Sequence, residues 1–166
     1  MLDTFGRFLQ GWSAPKDGSI LQRLFSPLVD RYSSQPLISA GLVINGAGAA
    51  FPKIGAADFY ATVGGVLVKV TAGTALPALT GIAAPAGGFN VACYFVDSAG
   101  VLTVAGGTSG ATLGAVTWPQ FPVKKALIGF LIITSAGAFV GGTTPLDTAT
   151  TVYVSPVGAF DPTVLN

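Results

Sequence analysis

No histidine and no glutamate occur in this chain of 166 residues, and Cys93 is its one cysteine. Charged side chains make up 9% of the sequence, against about a quarter in ordinary soluble domains. Each scarcity closes a route. Without histidine, the usual general base near neutral pH is missing, as is the usual activator of a thiol nucleophile. One cysteine and no histidine cannot supply four zinc ligands. A net charge of +1 gives no electrostatic steering towards nucleic acid, and Lys124-Lys125 is the basic cluster of the chain.

The acidic groups are seven aspartates, Asp3, Asp17, Asp30, Asp58, Asp97, Asp147 and Asp161, no two within ten residues of each other. They read as turn formers, because an aspartate side chain bonds the backbone next to it; calcium ligation and catalysis are the competing readings. Cys93, inside the apolar run Val91-Ala92-Cys93-Tyr94-Phe95, reads as a small buried hydrophobe. Gly46-Ala47-Gly48 and Gly106-Gly107-Thr108 have no lysine or helix start behind them, so a phosphate-binding loop is not expected. These readings predict a protein without enzymatic activity, cofactor or metal.

What is present is apolar. Hydrophobic residues make up 51% and mean hydropathy is +0.67. Twenty-three glycines and eleven prolines cut the apolar runs into short pieces. The stretch that comes nearest to a membrane span, Ala126 to Gly142, is free of charge for seventeen residues but is interrupted by Ser135-Ala136-Gly137. A bilayer helix needs about twenty consecutive apolar residues, so this stretch reads as strand, turn and strand. Asp3, Arg7, Lys16 and Asp17 punctuate the start of the chain, which argues against a signal peptide. No membrane partner is expected.

Seven of the fifteen charged residues fall within the first thirty-one positions. The chain therefore divides into an N-terminal arm with short helices, residues 1–35, and a β-domain, residues 36–166. In the arm, Leu2, Phe5, Phe8, Leu9 and Trp12 recur at helical spacing, and Ile20, Leu21, Leu24, Phe25 and Leu28 do so again after the break at Ala14-Pro15-Lys16-Asp17-Gly18. Ser19 or Asp17 is placed to cap the second helix, and Ser26-Pro27 predicts its end or a kink near Phe25. Helices this short are not stable alone and must dock. Phe5, Phe8, Leu9, Trp12, Leu21, Leu24 and Phe25 are the candidate partner-binding residues, since aromatic anchors dominate interfaces. The competing reading is a helical cap on the chain's own β-domain.

Beyond residue 35 the apolar period becomes two. Strands are predicted over Leu37 to Asn45, Asp58 to Val63, Val66 to Thr71, Phe89 to Asp97, Val101 to Ala105, Lys125 to Thr134, Ala138 to Gly141 and Thr151 to Ser155. Gly64-Gly65 between two β-branched runs is the strongest hairpin signal, because both turn residues need positive φ. Ser98-Ala99-Gly100 before Gly106-Gly107-Thr108 is echoed by Ser135-Ala136-Gly137 before Gly141-Gly142-Thr143, suggesting two similar hairpins. About eight short strands predict an all-β fold, a jelly-roll-like β-sandwich. Sheet edges are usually defended by lysines. Only Lys53, Lys69, Lys124 and Lys125 are available to this domain. Its edges are therefore expected to be covered by copies of itself or by a larger assembly, making the protein a homo-oligomer. Trp118-Pro119-Gln120-Phe121-Pro122, just before Lys124-Lys125, reads as an ordered loop entering a strand; a nucleic-acid platform would sit in a wider basic groove.

The β-region resembles a domain of tailed-bacteriophage structural proteins. The resemblance rests on Gly88-Phe89-Asn90-Val91, Phe95 to Gly100, Trp118-Pro119 through Pro122 to Lys124-Lys125-Ala126, Ile128-Gly129-Phe130, Phe139 to Thr143, Pro145-Leu146-Asp147 and Gly158 to Pro162. It spans roughly residues 37–162 and leaves the arm unmatched. It implies a virion component without enzymatic activity and with no site residues to carry over. A small β-domain with a docking arm is similar to capsid decoration, or cement, proteins, which are often trimeric and clamp over junctions between capsomers. The major capsid protein or another virion protein would then be its partner, at the capsid surface. A tail, neck or fibre component is the alternative. A secreted adhesin or carbohydrate-binding module would instead expose Trp118, Phe121 and Tyr153 beside polar partners.

Overall fold

The computed structural model describes Ser26, Val29, Asp30 and residues 32–160. Among them are eleven strands: β1 (Gln35–Pro36), β2 (Val43–Ile44), β3 (Pro52–Lys53), β4 (Phe59–Val63), β5 (Val66–Val70), β6 (Ala83–Ala84), β7 (Phe89–Asp97), β8 (Leu102–Gly106), β9 (Lys125–Thr134), β10 (Phe139–Val140) and β11 (Thr150–Val154). A single 3-10 turn covers Leu113–Ala115. The all-β class expected from the sequence is the one observed.

A four-stranded antiparallel sheet, ordered β11-β9-β7-β8, forms the centre. A three-stranded antiparallel sheet, β1-β4-β5, lies against it through β1 and β4 on β9. Two small pairs, β2-β3 and β10-β6, complete the set. Alternation sets the inner face: Phe59, Ala61, Val63, Val68 and Val70 meet Ala92, Tyr94, Val96, Ile128, Leu131 and Ile133. The other face of the central sheet is also buried. Val91, Cys93, Phe95, Leu127 and Phe130 form a second core there, so β7 and β9 read as continuous apolar runs rather than alternating ones.

A bulge reconciles the two faces. Tyr94 pairs with Gly129, but Phe95 pairs with Leu127, leaving Ile128 as the extra residue of β9. Ala126 and Ile128 therefore face the inner core before the bulge, and Leu131 and Ile133 face it afterwards. Gly129 sits where a Cβ would lie 2.5 Å from the Val154 carbonyl oxygen and 2.7 Å from Leu42 Cδ1, so no larger residue fits without a shift.

The β4-β5 hairpin forms as predicted, with Gly64 and Gly65 at φ of 57° and 82°. The β7-β8 hairpin and strands β9 and β11 also match the sequence reading. Two expectations need correction. The predicted strand from Leu37 to Asn45 reduces to Val43–Ile44, because Gly41 adopts φ +54° and Leu42 N–H donates to Ser155 Oγ instead of to a ladder. The second predicted hairpin does not form. Both edges of β9 are already taken, by β7 and β11, so the chain leaves at Ser135 and β10 pairs with β6. Phe139 then enters the inner core, and a Cβ on Gly141 would overlap the Leu79 carbonyl. The echoed Ser-Ala-Gly segments are thus a hairpin turn and a crossover between sheets. Helical backbone follows Pro27, at Val29, Asp30, Tyr32 and Ser33. Proline obstructs the turn preceding it, not the turn that follows.

Candidate functional site

The outer core is closed by loops rather than by a sheet. Trp118 meets Phe130 edge-to-face at 4.9 Å, and Phe121 meets Phe95 likewise at 5.1 Å. Phe160 stacks on Phe130 at 5.2 Å, bringing the end of the described chain onto the same face. Such pairs add specific geometry to the large area that each ring buries. Between this cluster and residues 30–36 lies a groove of about 420 Å³, with Trp118, Phe121 and Phe160 on its apolar side and Asp30, Ser34 and Gln120 on its polar side.

Asp30 organises the groove. Both of its carboxylate oxygens accept from the Lys124 N–H at 3.0 Å, where Lys124 takes the left-handed φ of +56°. Beside it, Ser33 O accepts from Gly65 N–H, Ser34 Oγ accepts from Gly64 N–H, and Gly158 N–H donates to Pro36 O. The segment from Asp30 to Pro36 is thereby tied to the β4-β5 turn, to the 118–125 loop and to the C-terminal run. Lys125 directs its ammonium to Thr103 Oγ1 at 3.0 Å.

The aspartates act differently from the turn formers expected. Asp97 does close its own turn, accepting from Ala99 and Val101 N–H at 2.9 Å. Asp30, Asp58 and Asp147 instead fasten separate segments. Asp147 accepts from Gly48 N–H at 2.7 Å, ninety-nine residues away. Asp58 accepts from Ala72 N–H at 2.8 Å and pairs with Lys69 at 2.7 Å. The Lys69 ammonium, and then the Ala72 N–H, hold the Asp58 carboxyl below its ordinary range; the carboxylate in turn raises Lys69. Among the described residues no three Cys or Asp groups gather as a metal set, and no helix is long and apolar enough to cross a membrane.

Two buried groups are chemically quiet. Burial raises the Cys93 thiol well above the ordinary thiol range, which keeps it protonated. Tyr94 is raised by burial and, secondarily, by Tyr153; its hydroxyl has no hydrogen-bond partner among the described residues.

Phe5, Phe8, Leu9, Trp12, Leu21, Leu24 and Phe25 lie outside the described residues, as do Asp3, Asp17 and Asp161. Sequence reasoning missed Phe160 as a wall of the groove and Asp30 as the clamp on Lys124. Neither carries a local signal, since each acts on a segment far along the chain. It also missed how much apolar side chain stays outside: Val29, Tyr32, Val66, Leu67, Val123 and Val157 are among the large hydrophobes exposed. Comparison with protein-family models, with curated proteins and with solved structures finds no match for this chain.

Proposed function

We propose that this chain is a capsid decoration, or cement, protein of a tailed bacteriophage, a non-enzymatic homo-oligomer, with a trimer favoured, that binds the outer capsid lattice. In this reading the β-domain is a jelly-roll-like sandwich and residues 1–35 form a helical arm that engages a neighbouring subunit. The proposal starts from the sequence resemblance given above. The observation that carries it is the chain's handling of polarity. Among the described residues the aspartates fasten backbone, while large apolar side chains remain exposed on several sides. A surface of that kind favours coverage by protein. Buried apolar area contributes roughly 25 cal/mol per Å², and repetition over a lattice multiplies a modest contact. The capsid lattice would thereby gain resistance to the pressure of packaged DNA.

The half-buried Trp118 and Phe121 are engaged edge-to-face with Phe130 and Phe95, and both Asp30 oxygens hold Lys124. That arrangement favours a structural role for the loop over a sugar-binding one. The test is a count of this polypeptide in purified particles by quantitative gel staining. Hundreds of copies are expected. Six, twelve or a few tens would assign it to tail, neck or fibre, and absence from particles would reject the virion reading altogether.

A further inference from the structure

The chain has three asparagines, Asn45, Asn90 and Asn166, and the last lies outside the described residues. The other two stand in opposite settings. Asn90 is 2% exposed in β7, and both ends of its amide are engaged. Its Nδ2 donates to Ala83 O at 2.6 Å, and its Oδ1 accepts from Val91 N–H at 2.8 Å. The β-branched side chain of Val91 further crowds any approach of that nitrogen to the amide carbon. Asn45, by contrast, is half-buried just after β2 and is followed by Gly46-Ala47-Gly48, all exposed. Among the described residues neither the Asn45 side chain nor the Gly46 N–H has a hydrogen-bond partner. A Cβ built on Gly46 would meet nothing within 4 Å, so the space around the residue is open.

We propose that Asn45-Gly46 is a site of spontaneous deamidation, and that the change loosens the clasp between this turn and the segment entering β11. The Gly46 nitrogen, on losing its proton to hydroxide, attacks Asn45 Cγ. The N–Cγ bond forms, the Cγ–Nδ2 bond breaks, and the side-chain nitrogen leaves as ammonia with a proton returned from solvent. Glycine allows this ring closure because it has no Cβ in the way and tolerates the backbone angles required. Water then opens the resulting succinimide. Addition at Cγ leaves aspartate at position 45; addition at the main-chain carbonyl leaves isoaspartate, with the backbone running through Cβ.

Either product places a carboxylate on a turn that holds other parts of the fold. Asn45 N–H donates to Phe51 O, and Gly48 N–H donates to Asp147 Oδ2 at 2.7 Å. Ala49 O accepts from Leu146 N–H at 2.9 Å. The new negative charge opposes the Asp147 carboxylate, and the longer isoaspartate backbone displaces Gly48 and Ala49 from their partners. Leu146 and Asp147 lead into β11, an edge strand of the central sheet, so the loss falls there.

The test incubates the purified full chain at neutral and at mildly alkaline pH and maps its peptides by mass spectrometry at intervals. The peptide holding Asn45 should gain the mass of an amide exchanged for an acid and split into two chromatographic products, faster as hydroxide increases. The peptide holding Asn90 should stay unchanged. Gly46→Ala, whose methyl has room, should keep the melting temperature of the fresh chain and slow conversion many-fold. The converted natural chain should melt lower than the fresh one, while Gly46→Ala incubated alongside it should not. Asn45 remaining intact in the folded chain would overturn the site, and so would Gly46→Ala converting at the natural rate. Conversion without any change in melting would overturn the link to the clasp.

Discussion

The two faces of the central sheet are buried by different means. On the inner face, strand meets strand: aliphatic side chains and Phe59 from β4 and β5 interleave with those of β7 and β9, and register fixes who touches whom. On the outer face, aromatic rings from the 118–121 loop and from Phe160 cover the sheet, held by side-chain and backbone bonds at Asp30 and Gly158. The contrast teaches where stability and adaptability are separated. A ladder-bound layer must keep its register or turn its apolar residues to water. A loop-built layer can give ground one ring at a time.

If that division holds, Phe139→Ala or Phe59→Ala, both fully buried in the inner core, should destabilise by about 3–5 kcal/mol in urea unfolding. Trp118→Ala, half-buried outside, should cost roughly half as much, since only part of its area is removed from water. Equal losses would mean that the loop layer is as constrained as the strands. Gly141→Ala and Gly129→Ala, where an added Cβ meets backbone carbonyls, should each cost about 1–3 kcal/mol.

Asp30→Ala should cost about 1–3 kcal/mol by releasing the Lys124 N–H. It should also shift Trp118 fluorescence, which Asp147→Ala, acting at Gly48, should leave unchanged. The Asp58–Lys69 pair gives a smaller, pH-dependent term. Because the Asp58 carboxyl is lowered on folding, its contribution is complete above the unfolded carboxylate range near pH 4 and is lost as pH falls through the lower folded value. The stability difference between the natural chain and Asp58→Asn should therefore shrink on acidification. Tyr94→Phe should be neutral or stabilise by about 1 kcal/mol, because it removes a buried hydroxyl without a partner among the described residues.

Local chemistry was legible from the sequence. Gly64-Gly65 forced a tight hairpin and Asp97 closed its turn, since both act within a few residues. The all-β class followed from strand spacing alone. Pairing was not legible wherever it depended on which strand edges were free: nothing within residues 125–141 reveals that β11 occupies the edge that a return strand would need. The same holds for Asp30, Asp58 and Asp147, whose bonds reach across the fold. The groove has aromatic walls from a loop that the sequence marked and from Phe160, whose place there is set by the run pinned at Gly158.

The additional residue in β9 makes the strand unequally tolerant of length change. Excising Ile128 would restore an uninterrupted ladder with Leu127 opposite Phe95 and Gly129 opposite Tyr94, and every remaining side chain would keep its side. Excising Leu131 would instead send one half of the strand to the wrong layer. A lineage of such proteins could thus lose one codon at the first position and survive with a thinner core, while the same loss three codons later would be lethal to the fold.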